Sequence, residues 1–170
     1  MKRLLGLALC LSLVSPLVVQ AAGKLKSEQS VDIKASPDKV WALVKDYDAL
    51  PKWHPAFKND VIKSGTNNTK GAMRTLTLGS GESFDEELLD FNDKKKMFRY
   101  RIVGDSPFPL TDYVSSMRVT KGKDGGSKLT WIGKFKGKPG SGKTDAEVVE
   151  IINGAYKAGL DNVKKLAEQG

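Results

Sequence analysis

The sequence predicts an α+β domain in which a curved antiparallel sheet packs against one long C-terminal helix. Two observations carry that prediction. Short segments of alternating polarity follow one another between residues 57 and 136, separated by Gly, Asn, Asp, Pro and Lys clusters that mark turns. Thr144-Asp145-Ala146-Glu147 then forms a capping box, and Val148, Ile151, Ile152, Ala155, Tyr156, Gly159, Leu160 and Val163 recur behind it at helical spacing.

The N-terminus determines which residues enter that domain. Met1-Lys2-Arg3 is a short positive segment, Leu4 to Val19 carries no charge, and Val19-Gln20-Ala21 places small residues where signal peptidase reads them. Residues 1–21 are therefore expected to be a signal peptide, cleaved after Ala21, with residues 22–170 forming a single domain. A retained anchor would need about 20 unbroken apolar residues, and Ser12, Ser15 and Pro16 interrupt the run. A lipoprotein reading of Cys10 meets Leu9 where a small residue is required. The processed chain then has no cysteine, so packing alone must stabilise it. Losing Lys2 and Arg3 lowers the formal charge from +8 to +6. Export argues against nucleic acid as the partner of that charge and leaves acidic proteins or anionic surfaces.

The elements follow in order. Ala22 to Gln29 is polar and is read as a frayed leader, and Ser30 to Lys34 alternates like a half-buried strand. Ser36-Pro37-Asp38 supplies an N-cap, a proline at the first helical position and an early acid for a short helix through Val40, Trp41 and Val44. Two prolines make Leu50-Pro51-Lys52-Trp53-His54-Pro55 a turn or second short helix. Six strands are expected at 57–63, 72–78, 83–91, 97–103, 112–120 and 128–136. Gly154 and Gly159 interrupt the closing helix at about 1 kcal/mol each, either to leave room beside it or to pack it closely on the sheet.

The order of elements, with Ser36-Pro37-Asp38-Lys39-Val40-Trp41, Asp46-Tyr47, Trp53-His54-Pro55 and Gly71-Ala72-Met73-Arg74, resembles the helix-grip fold of the START/Bet v 1 (SRPBCC) superfamily in its polyketide cyclase/dehydrase-like branch. With a signal peptide and Leu50 to Pro55 in place, the chain is most similar to the MxaD-type periplasmic proteins of methanol oxidation. The resemblance implies a periplasmic protein whose sheet wraps the long helix around an elongated cavity. Strand parity then assigns the cavity wall. Leu76, Phe98, Tyr100, Met117, Trp131 and Phe135 face inward from the sheet, Ile152 and Tyr156 face them from the helix, and the rigid turn Trp53-His54-Pro55 closes one end. Tyr113 and Ser115 add two hydroxyls, which either orient a ligand or bond a neighbouring carbonyl or buried water.

Folding the hairpin about Gly79-Ser80-Gly81 sets Arg74 opposite Glu86, both pointing inward unless a bulge at Leu88-Leu89 turns Glu86 out. In plant members an arginine and a glutamate at such positions line the pocket, and in one enzymatic member they serve proton transfer. Carried over, the resemblance makes Glu86 with Arg74 the catalytic candidates. The alternative is a structural ion pair in which arginine keeps Glu86 ionised and a weak acid. His54 alone cannot build a metal site, and no phosphate loop, dinucleotide fingerprint or nucleophile motif occurs, so no metal or cofactor is expected.

The same parity turns Arg99, Arg101, Arg118, Lys134 and Lys136 outward, with no acidic residue at those positions. Such a face would steer an acidic partner, which the resemblance identifies as methanol dehydrogenase or its cytochrome c. Three functions stay open: an accessory protein of methanol oxidation, a carrier of a lipid or other apolar small molecule, and a cyclase or isomerase using Glu86.

Overall fold

The computed structural model describes residues 24–169; the expected signal peptide and Cys10 lie outside the described residues. The chain runs β1 (Leu25–Ile33), α1 (Pro37–Val44), a 3-10 turn (Leu50–Lys52), β2 (Phe57–Ser64), β3 (Met73–Leu78), β4 (Ser83–Asn92), β5 (Met97–Val103), β6 (Leu110–Lys121), β7 (Ser127–Gly137) and α2 (Asp145–Gln169). All seven strands form one antiparallel sheet in the order β1-β7-β6-β5-β4-β3-β2. β2 to β7 are thus a meander, and β1 returns to pair with β7 at the far edge. This is the helix-grip arrangement.

Both helices start on the signals that the sequence supplies. The Lys39 N–H donates to Ser36 Oγ at 3.3 Å, and Pro37 opens α1, whose Val40, Trp41 and Val44 are buried. At α2 the Glu147 N–H donates to Thr144 Oγ1 at 3.3 Å and the Thr144 N–H donates back to the Glu147 carboxylate at 2.8 Å. Val148, Ile152, Tyr156, Gly159, Leu160, Val163 and Ala167 form the buried stripe of α2. Ile151 lies on its rim, 37 % exposed.

One segment departs from its sequence reading. Residues 25–29 are not a leader but the first half of β1, in register with residues 131–135 of β7. Their inward positions are polar because Ser27 Oγ and Gln29 Nε2 both donate to Asn153 Oδ1 of α2, at 2.7 and 3.0 Å. A hydrogen-bonded seam replaces the apolar one that alternation detects.

Elsewhere parity holds through the bulges. The irregularity in β4 falls between Leu88 and Asp90, after Glu86, so Glu86 and Leu88 both stay inside. Gly159 brings α2 close to the turn at Trp53-His54: a Cβ there would stand 2.5 Å from His54 Cδ2 and 3.1 Å from Trp131 Cζ3. Gly154 faces open space. Of the two explanations for helix glycines, close packing therefore holds for Gly159 and neither holds for Gly154.

Candidate functional site: a charged cluster at the end of an aromatic interior

Arg74 and Glu86 are directly opposite on β3 and β4 and both are buried. Arg74 Nε and Nη2 donate to the same Glu86 oxygen, Oε2, at 2.9 and 2.6 Å. Its Nη1 turns the other way, donating to the Tyr47 carbonyl and to Asp60 Oδ2 at 3.2 Å. The guanidinium also lies over the Tyr47 ring, 3.9 Å from its centroid. Asp60 comes from β2 and its side chain is 1 % exposed. One buried cation thus faces two buried carboxylates.

Burial sets the electrostatics. It pushes the Glu86 carboxyl up to about 6, outweighing the Arg74 charge and hydrogen bonds that act to lower it. Burial likewise raises Asp60 against Arg74. Burial works to lower the Arg74 guanidinium, but Glu86, Tyr47 and Asp60 together raise it above its ordinary value. Desolvation is thus the larger effect on Glu86, and Arg74 opposes it.

Beside the cluster runs a chain of hydroxyls. Tyr113 and Tyr156 share a 2.6 Å hydrogen bond, Ser115 Oγ lies 3.2 Å from the Tyr156 hydroxyl, and Trp131 Nε1 donates to Tyr100 Oη at 2.9 Å and to Ser115 Oγ at 3.0 Å. Ser115 itself donates to the Ile132 carbonyl at 2.9 Å. Tyr156 reaches across from α2 because Gly133 leaves a notch; a Cβ there would stand 2.2 Å from its hydroxyl. The Tyr156 ring stacks on Trp131 at 4.3 Å between centroids. Burial raises all three tyrosines, so they are neutral phenols at physiological pH.

His54 closes the opposite wall. Its Nδ1 accepts from the Ala56 N–H at 3.2 Å, which leaves Nε2–H to donate to the Ala155 carbonyl at 3.0 Å. Burial lowers it to about 4, so the ring is neutral and serves as a rivet between the turn and α2.

Between these groups lies a cavity of about 40 Å³, bordered by Arg74, Glu86, Tyr100, Tyr113, Trp131 and Tyr156, with Ile152 and Ala155 of α2. Phe57, Phe84 and Phe108 stand at its other side, and Phe108 packs edge-on against Phe84 at 5.4 Å. Phe108 sits in the β5–β6 loop, where its N–H donates to Ser106 Oγ at 3.1 Å and its carbonyl accepts from Leu110 at 2.8 Å.

Of the residues that the sequence places on the cavity wall, Arg74, Glu86, Tyr100, Tyr113, Trp131, Ile152 and Tyr156 border it. Trp53, Leu76, Phe98, Ser115, Met117 and Phe135 are buried but pack behind that wall, and Ser115 takes the carbonyl-bonding alternative. His54, expected in the turn that closes one end, borders the cavity too, and Phe84 and Phe108 join it without a sequence signal, while Asp60 is not on the wall but meets Arg74 beside it. Asp60 gave no signal, because the bulge after Phe57 turns the acid inward and leaves Val61 51 % exposed.

The outer face needs a correction. Arg99, Arg101, Arg118, Lys134 and Lys136 do lie on the outward side of β5, β6 and β7, but acids accompany them. Arg101 pairs with Glu87 of β4 at 2.6 Å. The β6 bulge brings Asp112 within 2.7 Å of Lys136. Arg99, Arg118 and Lys134 form no ion pair among the described residues.

The model of the polyketide cyclase / dehydrase and lipid transport family matches residues 24–168, the whole of the described domain save its last residue. The chain belongs to this family. Among curated proteins it is similar to MLP-like protein 423 of Arabidopsis thaliana, 29 % identical over 115 residues, covering 62 % of this chain and 72 % of that one. Among solved structures it is similar to XoxI of Bacillus cereus, 29 % identical with a TM-score of 0.76, covering 84 % of this chain and 94 % of that one. A Bacillus thuringiensis protein is similar at 29 % identity and a TM-score of 0.75, covering 84 % and 98 %. These two solved structures share the fold of this chain.

Proposed function

We propose that this protein is an exported, non-enzymatic binding protein of the periplasm that holds one small molecule in the grip interior. The observation that carries this reading is the cavity itself: aromatic walls on nearly every side and converging polar groups at one end, Glu86, Tyr100 and Tyr113. Its size limits the cargo. At roughly 10–15 Å³ of such space per water, 40 Å³ accepts about three heavy atoms, far short of the 300 Å³ or more of a drug-sized site. A lipid chain would have to displace Phe108 and its loop. Native mass spectrometry of protein purified without detergent from its own host tests the reading. A bound small molecule, lost on denaturation, is expected; consistently bare protein would refute it.

A second reading is favoured by Arg99, Arg118 and Lys134, three outward cations without an acidic partner among the described residues. It makes the protein an accessory of methanol oxidation that docks on methanol dehydrogenase or its acidic cytochrome c. Replacing these three by glutamine should then slow association at low salt and flatten its salt dependence. Unchanged association rates would sink it.

A further inference from the structure

The buried cluster does not balance. Among the described residues with buried side chains, Arg74 is the one cation and Glu86 and Asp60 are its two carboxylates, while His54 is neutral by its hydrogen bonds. A buried site with one negative charge in excess is costly unless something positive or hydrogen-bonding shares it.

The arrangement of atoms shows where that something would sit. Both Arg74 hydrogen bonds to Glu86 end on Oε2, and the remaining Glu86 oxygen, Oε1, belongs to a side chain that borders the cavity. Asp60 is engaged on Oδ2 by Leu50 N–H and Arg74, and its Oδ1 is buried without a donor. Asp60 Oδ1 is thus left without a donor, and Glu86 Oε1 takes no hydrogen bond from Arg74. On the two carboxylates the excess is of acceptors; the Tyr47 hydroxyl, beside the same guanidinium, is also buried without a partner.

The remaining walls match a cation as well. Tyr100, Tyr113, Trp131, Tyr156, Phe84 and Phe108 surround the cavity with rings. Ring faces attract an ammonium group that has left water. The phenol oxygens of Tyr100 and Tyr113 add acceptors, and Tyr100 lies one pair along from Glu86 on the same face, since Leu88 is its cross-strand partner. An ammonium carries three N–H donors and no acceptor, the complement of this set. A carboxylate ligand would instead meet Glu86 with Arg74 already occupied.

We infer that the interior site is selective for a small primary amine in its ammonium form, with Glu86 Oε1 as its counter-ion and the ring walls receiving its short apolar end. This rests on the binding reading above and names its ligand class. The cavity as it stands admits about three heavy atoms; longer amines enter only where Phe108 yields. A proton on Glu86 can also relieve the charge, but with the carboxyl at about 6 the group is largely ionised at neutral pH.

The test compares three probes of similar size on the full unaltered protein by NMR titration: ethylammonium, ethanol and acetate. Ligands this small bind in the millimolar range. Ethylammonium is expected to bind at least about tenfold more tightly than either of the others, with shifts centred on Ile152 and Tyr156. In Glu86→Gln the advantage over ethanol should vanish while ethanol binding persists. Equal affinity for ethanol, or a preference for acetate, would overturn the ammonium assignment and leave the interior site standing. Silence from all three probes would overturn the assignment as well. The binding reading would fall with it only if mass spectrometry also found the protein bare. The probe comparison uses the unaltered chain and so decides the question even if Glu86→Gln does not fold.

Discussion

Gly154 and Gly159 lie five positions apart on α2, and the same substitution should act on them with opposite sign. At Gly154 an added methyl meets open space, so alanine brings only its helix propensity, a gain of about 0.5–1 kcal/mol. At Gly159 the Cβ would stand 2.5 Å from His54 Cδ2. That ring cannot swing aside, because it is held by Ala155 O and Ala56 N and lies edge-on to Phe57 and Trp131. Forcing a methyl into such a site costs about 1–3 kcal/mol, and Trp131 at 3.1 Å blocks the other way out. The propensity gain offsets part of this, leaving Gly159→Ala destabilised by about 1–2 kcal/mol and about 2 kcal/mol below Gly154→Ala. For a domain of this size that separates their Tm values by roughly 4–8 °C. Urea denaturation and calorimetry of the two variants measure it. A Gly159→Ala protein as stable as Gly154→Ala would refute the claim that His54 rivets the turn to the helix.

Two further perturbations follow from the buried charges. Arg74→Ala strands Glu86 and Asp60 without their cation and should cost about 3–5 kcal/mol in urea denaturation. Glu86→Ala leaves Arg74 on Asp60 and should cost less; no loss in either variant would show that the cluster is wet. In the pH dependence of stability His54 opposes Glu86, and Asp60, also raised by burial, acts in the same sense as Glu86. His54 falls from 6.5 to about 4 on folding, so the unfolded chain binds the extra proton and stability drops by about 3 kcal/mol as pH falls through that window. Glu86 rises from 4.5 to about 6, so its contribution is full below 4.5 and about 2 kcal/mol is lost as pH rises through 6. Between pH 4.5 and 6 the opposed contributions largely cancel, so the net slope should be shallow, and His54→Phe should make it clearly negative. A slope unaffected by that substitution would contradict the assignment.

The sheet was legible wherever an apolar strand face meets the helix. Phe98 and Tyr100 against Arg99, or Trp131 and Phe135 against Lys134, alternate because one side is dry and the other wet. The register of Arg74 on Glu86 followed from counting back along the hairpin from its turn. What the sequence hid are the places where polarity faces inward. Residues 25–29 look like a leader because Ser27 and Gln29 bond Asn153 instead of packing on it. Asp60 hides because its strand is bulged on both sides and puts Val61 outside. Glu87 and Asp112 escaped notice for a related reason. Both lie on strands whose inward residues alternation identifies, but the reading of the outer face followed its cations only, and it is the register that brings Glu87 beside Arg101 and the β6 bulge that brings Asp112 beside Lys136.

The central claim is that this grip interior, and not its outer face, is the binding site. Backbone-amide, aromatic and methyl chemical-shift mapping with a set of amine, alcohol and carboxylate fragments of about three heavy atoms tests it most directly. The account predicts that every fragment that binds perturbs Tyr113, Trp131, Ile152 and Tyr156 and leaves Arg99, Arg118 and Lys134 unmoved. Fragments that perturb only the outer face, with the Trp131 and Tyr156 resonances unchanged, would contradict it.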